Sequence, residues 1–479
     1  MNQSTTTHTS YNRSVIVGIF LVGAFVAILN QTLLIPAIPH IMEEFNIDVS
    51  KGQWLTTAFM LTNGILIPIT AFLIEKFSSR ALVLTALSIF TAGTILAAFA
   101  TNFPVLLAAR IVQAAGAGIL MPLMQTIFLT IFPKEKRGQA MGMVGLVISF
   151  APAIGPTLAG WIIDTFTWKY LFYIVLPIGI IDLILAFFLM KNVTQQRETR
   201  IDVLSVILSS FGFGGLLYGF SSVGSYGWTS AIVLVSLIVG AVSLFFFILR
   251  QSNLKRPMLE FGVFKFAIFS LTTFLGMLVF ALLIGTETIL PLYTQNVRGL
   301  SALDTGLILL PGALFMGFLS PLIGRIFDKV GGKGLALGGF AILTVTSLPF
   351  MMLSLDSSIT LITVAYTVRL IGVGMIMMPL TTAGINSLPP HLIPHGTAMN
   401  NTMRQMGGSI GTAVLVSIMS SSAANAELAN PMKSAVHGMN TAFIVSGLIA
   451  VVGLVLAFFL KEKRENKVMK QELPSSSSS

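Results

Sequence analysis

The sequence predicts an all-α integral membrane protein with fourteen transmembrane helices, and three observations predict it. Of 479 residues, 54% are hydrophobic and only 10% charged, against about 25% charged in soluble domains. Apolar runs of about 18 residues or more, each able to cross ~30 Å of hydrocarbon, recur along almost the whole chain. The runs are continuous rather than alternating, as from Ile232 to Leu249, and that selects helices. Only helices or a closed barrel can satisfy every backbone group in a layer without water.

The elements follow in order. Met1 to Arg13 is polar and reads as a tail, residues 1–13. The apolar run after it exceeds signal-peptide length and lacks a small-residue cleavage site, so it is span 1, 14–38. Span 2 is 53–75, and the charged turn Glu75 to Arg80 leads into span 3, 81–101. Spans 4 (104–131) and 5 (138–163) flank Lys134, Lys136 and Arg137, and span 6 (169–190) stops at Lys191. Spans 7 (203–222) and 8 (228–250) follow Arg197 and Arg200. Arg250, Lys255, Arg256 and Lys265 gather before span 9, 266–294. Spans 10 (302–325) and 11 (334–354) flank Arg325, Lys329 and Lys333. Spans 12 (359–386), 13 (397–420) and 14 (438–460) complete the set, and 461–479 reads as a second tail.

The basic residues orient these spans. Twenty-one of the 28 fall on one set of segments, from Arg13 through the loops just named to Lys461, Lys463, Arg464, Lys467 and Lys470. The other loops hold Lys51, Lys169, Arg298 and Lys433, while Arg110, Arg369 and Arg404 lie inside spans. By the positive-inside rule both termini are cytoplasmic, in a plasma or inner membrane. The net charge of +10 is thereby accounted for as topology, and nucleic-acid binding has no support. With zero cysteines, disulfides, thiolate metal sites and thiol catalysis are excluded. No phosphate loop of the G-x-x-x-x-G-K-[ST] type is present, which excludes ATP hydrolysis. Neither a cofactor nor a metal site is expected, and the chain is expected to act as a monomer.

The chain also repeats itself. Glu75-Lys76-Phe77-Ser78-Ser79-Arg80 after span 2 matches Asp328-Lys329-Val330-Gly331-Gly332-Lys333 after span 10. Arg110 leads a small-residue run to Met121-Pro122-Leu123, and Arg369 leads Gly372 and Gly374 to Met378-Pro379-Leu380. Gly155-Pro156 through Ala159-Gly160 answers Gly407-Gly408 through Gly411. Spans 2, 4 and 5 thus correspond to 10, 12 and 13. The simplest plan is two six-helix halves, 14–190 and 266–460, with two inserted helices, 203–250, between them. Parallel repeats of this kind characterise secondary transporters, whose site lies between the halves near the midplane.

At these residues the chain resembles the major facilitator superfamily, in its fourteen-helix drug:proton antiporter branch. The loop signature G-x-L-x-D-R-x-G-R-K appears in degraded form from Ala71 to Arg80, and R-x-x-Q-G-x-G appears as Arg110 to Gly116. The antiporter signature G-x-x-x-G-P-x-x-G-G appears as Ala151 through Gly155-Pro156 to Gly160. Trp168 to Phe172, Pro177-Ile178-Gly179 and Leu290 to Tyr293 with Gln295 also look like the family. Many relatives carry an acid in the first helix as L-D-x-T, where this chain reads Leu29-Asn30-Gln31-Thr32. That form is similar to the lincomycin-resistance exporters of Gram-positive bacteria. The resemblance implies export of amphiphilic drugs or antibiotics in exchange for protons. Lincosamide-like or cationic amphiphiles are expected, with little dependence on substrate charge because Asn30 stands where an acid is usual. An exporter of a specific metabolite is the alternative within transport, and a polytopic sensor or enzyme the alternative outside it.

Individual residues carry two readings each. Arg110 is costly inside a span; it is either bonded to neighbouring carbonyls or, as the resemblance implies, part of proton coupling or gating. Glu287 sits among Gly285, Thr286 and Thr288, as a cavity wall or an interfacial acid. Asp182 either snorkels and pairs with a basic neighbour such as Lys191, or carries a proton. Asn30, Gln31, Gln113, Met121 and Met124 are the expected cavity lining. Gly155, Pro156 and Gly160 are expected to pack the halves tightly while letting them rock. Glu75, Arg80, Asp328 and Lys329 are expected to latch the cytoplasmic face.

Overall fold

A computed structural model describes residues 12–194, 196, 202–426 and 430–461. The tails expected at 1–13 and 461–479, apart from their innermost residues, lie outside the described residues, as do Gln195, Arg197 and Arg200. Every regular element described is helical, and fourteen segments are long and apolar enough to span a bilayer.

Span 1 is α1 (Arg13–Leu33), followed by a short helix α2 (Ile38–Phe45). Spans 2 to 6 are α3 (Val49–Lys76), α4 (Ser79–Ala98), α5 (Phe103–Ile131), α6 (Arg137–Thr165) and α7 (Tyr170–Leu189). Spans 7 and 8 are α8 (Val203–Tyr226) and α9 (Ala231–Asn253). Spans 9 to 14 are α10 (Ala267–Leu292), α11 (Ala302–Val330), α12 (Gly332–Met351), α13 (Ile359–Asn386), α14 (Ile393–Asn425) and α15 (Pro431–Phe458). An even number of crossings places Arg13 and Leu460 on one face, the termini face; the other is the distal face.

Polar caps start many of these helices. Asn12, Asp48, Ser78, Asn102, Ser358 and Asn430 each accept a backbone N–H of the first turn, and Ser301 with Asp304 forms a capping box. Each cap satisfies a donor that no helix can satisfy for itself. Between caps the apolar runs leave bulky side chains such as Phe188 and Phe318 exposed, as a lipid-facing surface requires.

The sequence repeat is a packing repeat. A Cβ on Gly116 of α5 would lie 2.5 Å from the carbonyl of Ala86 on α4, and one on Gly372 of α13 would lie 3.0 Å from that of Gly339 on α12. The same crossing is therefore built twice from small residues, which let two backbones approach. The α8–α9 hairpin closes at Gly215 and Gly240, with a Cβ on Gly215 only 2.9 Å from the Gly240 Cα. Arg250 at the end of α9 donates two hydrogen bonds, 2.7 and 2.9 Å, to Asp202 at the start of α8. Those bonds hold the Asp202 carboxyl below the usual carboxylate range. The hairpin then rests on both halves: Trp54 of α3 stacks on Tyr218, and Trp228 donates to Ser417 of α14 at 2.7 Å.

The halves meet chiefly along α6 with α11 and α3 with α14. Gly138, Gly142 and Gly145 of α6 face Gly324, Ser320 and Pro321 of α11, with no room for a Cβ at any of these glycines. This corrects the sequence expectation for the antiporter motif. Gly155 packs against Thr32 of α1, inside its own half, Pro156 is exposed, and Gly160 faces open space. Gly155 lies ten residues beyond Gly145, which turns it off the α11 side of the helix.

Gly324→Leu should therefore lower the melting midpoint of the purified protein by several degrees, the overpacking cost being about 1–3 kcal/mol. Gly160→Leu should leave it unchanged within about a degree. Equal shifts for the two would contradict the packing described.

Candidate functional site: inter-half contacts and interior charges

The termini face is closed by polar contacts that cross between halves. Asp328, near the end of α11, accepts from the backbone N–H groups of Gly138 and Gln139 at 2.7 and 2.9 Å. The carboxylate thus caps the N-terminus of α6, where the helix dipole favours negative charge. Arg137 donates to Asn386 at the end of α13 at 2.7 Å. Nε2 of His395 on α14 lies 3.2 Å from Glu75 of α3, and its Nδ1 accepts from the backbone of Glu260 at 3.3 Å. Deeper in, Asn401 of α14 donates to Gln125 of α5 at 2.8 Å.

Of the four expected latch residues, Glu75 and Asp328 bridge the halves. Arg80 instead donates to the Phe187 carbonyl at 2.7 Å, tying α4 to α7 within one half, and Lys329 is exposed. His395, Arg137, Asn386, Gln125 and Asn401 were not anticipated. The predicted span 13 began at 397, whereas α14 begins at Ile393 and brings His395 inside the helix, 4% exposed.

Interior charges divide into satisfied and unsatisfied. Arg369 is wholly engaged: it donates to Thr286, to the Leu343 carbonyl, to Ser347 and to Ser446 at 2.8 to 3.3 Å. It ties four helices of one half together. Arg110 occupies the matching place in the other half and is less well held. Its Nη1 donates to Gln113 at 2.8 Å, its Nε reaches the Leu55 carbonyl at 3.4 Å, and its plane lies 4.4 Å from the Phe59 ring. Its Nη2 has no partner.

Asp182 is 1% exposed on α7, and neither carboxylate oxygen has a hydrogen-bond partner. It neither snorkels nor reaches a basic group, because it is turned inward against α1, where a Cβ on Gly23 would lie 2.9 Å from Oδ2. Glu287 on α10 is exposed. It lies seven residues beyond Phe280, two helical turns, and so shares that residue's face of α10. No ion pair engages it among the described residues.

The residues expected to line a cavity differ in burial. Asn30 is 2% exposed with its Nδ2 unpartnered, and Gln31 and Met121 are half-buried. Gln113 and Met124 are corrections, both fully buried. Both polar ends of Gln113 are consumed, accepting from Arg110 and donating to Thr94 at 3.0 Å. Met124 is packed inside the apolar core.

With this architecture in place, likeness to known proteins is informative. The Major Facilitator Superfamily profile matches residues 20–203 and 196–412. The chain is 73% identical to the Uncharacterized MFS-type transporter YcnB of Bacillus subtilis, over 94% of this chain and 96% of that protein. It is 41% identical to the Lincomycin resistance protein LmrB of Listeria monocytogenes, over 94% and 97% of the two chains. The crystal structure of the human organic anion transporter MFSD10 shares the fold, with a TM-score of 0.69 at 14% identity, covering 93% of this chain and 99% of that one. Profile, relatives and fold agree: the chain is a multi-pass membrane transporter belonging to the major facilitator superfamily.

Proposed function

We propose that this transporter exports amphiphilic drugs or antibiotics from the cytoplasm in exchange for protons, by alternating access between its halves. The observation that carries the reading is the pair of acids inside the membrane without counter-charge, Asp182 and Glu287. Uncompensated charge at that depth is costly and typically marks an ion pathway. Such an acid can bind a proton in one state of the carrier and release it in another. With no nucleotide-binding loop in the sequence, an ion gradient is the available energy source. The likeness to a protein named for lincomycin resistance supports an antibiotic cargo.

Glu287 is the foremost proton carrier, since it faces accessible space on the first helix of the second half. Arg110, incompletely bonded in the first half, modulates the acid through the low-dielectric cleft. Asp182 is the second acid. The polar contacts at the termini face hold the exporter shut toward the cytoplasm, with Asp328 and Glu75 as the inter-half latch. The positive-inside rule supports reading that face as cytoplasmic, in a plasma or inner membrane.

Three outcomes follow. Because the chain has no cysteine, single cysteines report orientation cleanly: Lys433→Cys should react with an impermeant maleimide added to intact cells, and Lys329→Cys should not. The reverse pattern would invert the topology. Dye efflux from expressing cells should stop on adding a protonophore while ATP is maintained; efflux that survives gradient collapse rules out antiport. In proteoliposomes, Glu287→Gln should cut proton-driven drug movement at least tenfold while leaving drug binding within about twofold, since the swap keeps shape and removes titration. Wild-type exchange rates in that variant, with a loss in Asp182→Asn, would move the proton to Asp182.

A further inference from the structure

Arg404 of α14 plays no part in the latch, in helix packing by hydrogen bonds, or in the proton reading above. It is 7% exposed, and its Nε and Nη1 have no hydrogen-bond partner. Its guanidinium lies 5.0 Å from the centre of the Phe280 ring. The placement is enforced by the glycines that follow. A Cβ on Gly407 would lie 2.7 Å from the Met277 carbonyl, one on Gly408 would lie 2.9 Å from the Phe280 ring, and one on Gly411 would collide with Ala281. These contacts seat α14 directly on α10 and fix the Arg404 stem, whose Cγ is 3.8 Å from a Cβ built on Gly276.

Fold requirements do not explain the residue. Arg369, built into four helices, shows what a structural arginine looks like in this molecule. The internal repeat pairs Gly407 with Gly155, so the first-half counterpart of Arg404 is Pro152, and the other half folds without it. A desolvated guanidinium with open donors is a strong site for an anionic hydrogen-bond acceptor, because leaving a buried charge unpaired is costly. One helical turn away, Asn401 crosses to Gln125 of α5. There Gln125 Nε2 and the Thr397 hydroxyl are also buried without partners. The unmet groups on Arg404 and Gln125 are all donors. At eleven residues into α14, about 16 Å along the axis, Arg404 lies near mid-membrane, out of register with a bilayer headgroup and in register with cargo.

We infer that Arg404 is a specificity-determining subsite for an oxyanion, a carboxylate or sulfonate carried by the transported molecule, with Phe280 beneath the guanidinium and the Gln125–Asn401 crossing beside it. Arginine suits this task because its planar fork pairs with an oxyanion through two bonds. The inference rests on the export reading only in naming the ligand as cargo.

The test uses a matched pair of fluorescent amphiphiles, 1-anilinonaphthalene-8-sulfonate and N-phenyl-1-naphthylamine, the same arylamine with and without the anion. Both are titrated onto the full chain in phosphatidylcholine nanodiscs, with empty discs subtracted. Wild type should bind the sulfonate at least tenfold more tightly than R404Q, with the neutral amine unchanged within twofold and R404K intermediate for the sulfonate. Sulfonate binding no better in wild type than in R404Q overturns the assignment. So does an equal loss of both ligands, which would make Arg404 a packing residue. If R404Q does not fold, R404K decides, and an unchanged ratio between the two ligands overturns the subsite. Loss of sulfonate binding when phosphatidylglycerol is added to the discs would make lipid the occupant and overturn the cargo assignment. Protonophore-sensitive efflux without a sulfonate preference sinks the subsite alone. A sulfonate preference without gradient-driven movement leaves the subsite standing and sinks the coupling.

Discussion

Two backbones touch where Gly138 of α6 meets Gly324 of α11, and much of the molecule is arranged around that contact. No side chain fits between them, so the halves approach as closely as helices can. That proximity lets Asp328 reach across and cap α6 with two backbone bonds. A cap of this kind is specific yet reversible: it matches a helix dipole rather than a buried counter-ion, so separating the halves strands no desolvated charge. Gly142 and Gly145 extend the same seam toward the middle of the membrane. The α8–α9 hairpin straddles the second seam, α3 with α14, through Trp54 and Trp228.

Against this frame the interior charges are unequal in a way the fold does not demand. The repeat places an arginine at corresponding depth in each half, and in one copy, Arg369, every guanidinium nitrogen donates to an acceptor, while in the other, Arg110, Nη2 does not. Among the described residues, Asp182, Glu287 and Arg404 have no ion-pair partner. A carrier needs groups whose best partner is absent in one state, and these residues meet that description. The subsite proposed at Arg404 also bears on cargo. The sequence reading expected lincosamide-like or cationic amphiphiles, with little dependence on charge because Asn30 stands where an acid is usual. A fixed guanidinium with open donors favours molecules of the opposite sign.

The helices were legible because bilayer thickness fixes the length of the apolar runs. Predicted and observed spans agree to within a few residues at most ends; 359–386 is the same in both. The repeat made Glu75 and Asp328 legible as well, since the same pattern of acid, base and small residues recurs at both loop mouths. Which side of a helix faces which neighbour was not legible. Met124 and Gln113 have polar or adaptable side chains at plausible depth, but their direction depends on how α5 lies against its partners. Gly155 and Gly160 carried a family signature, whereas the inter-half seam is made by Gly138, Gly142 and Gly145, the first two at a G-x-x-x-G spacing that marks close helix packing but does not name the partner helix. His395 looked like a loop histidine because the polar first turns of α14 hid its start.

The proposed gate at the termini face is reversible and is held by Asp328 on α6. Spin labels on cysteines replacing Lys134 and Lys329, both exposed on that face, measure it directly in an otherwise cysteine-free chain. A latch of this kind requires a predominantly short distance in the parent protein and a second, longer population when Asp328→Asn weakens the cap. A single short distance unchanged by Asp328→Asn, at every pH and with cargo present, would contradict it.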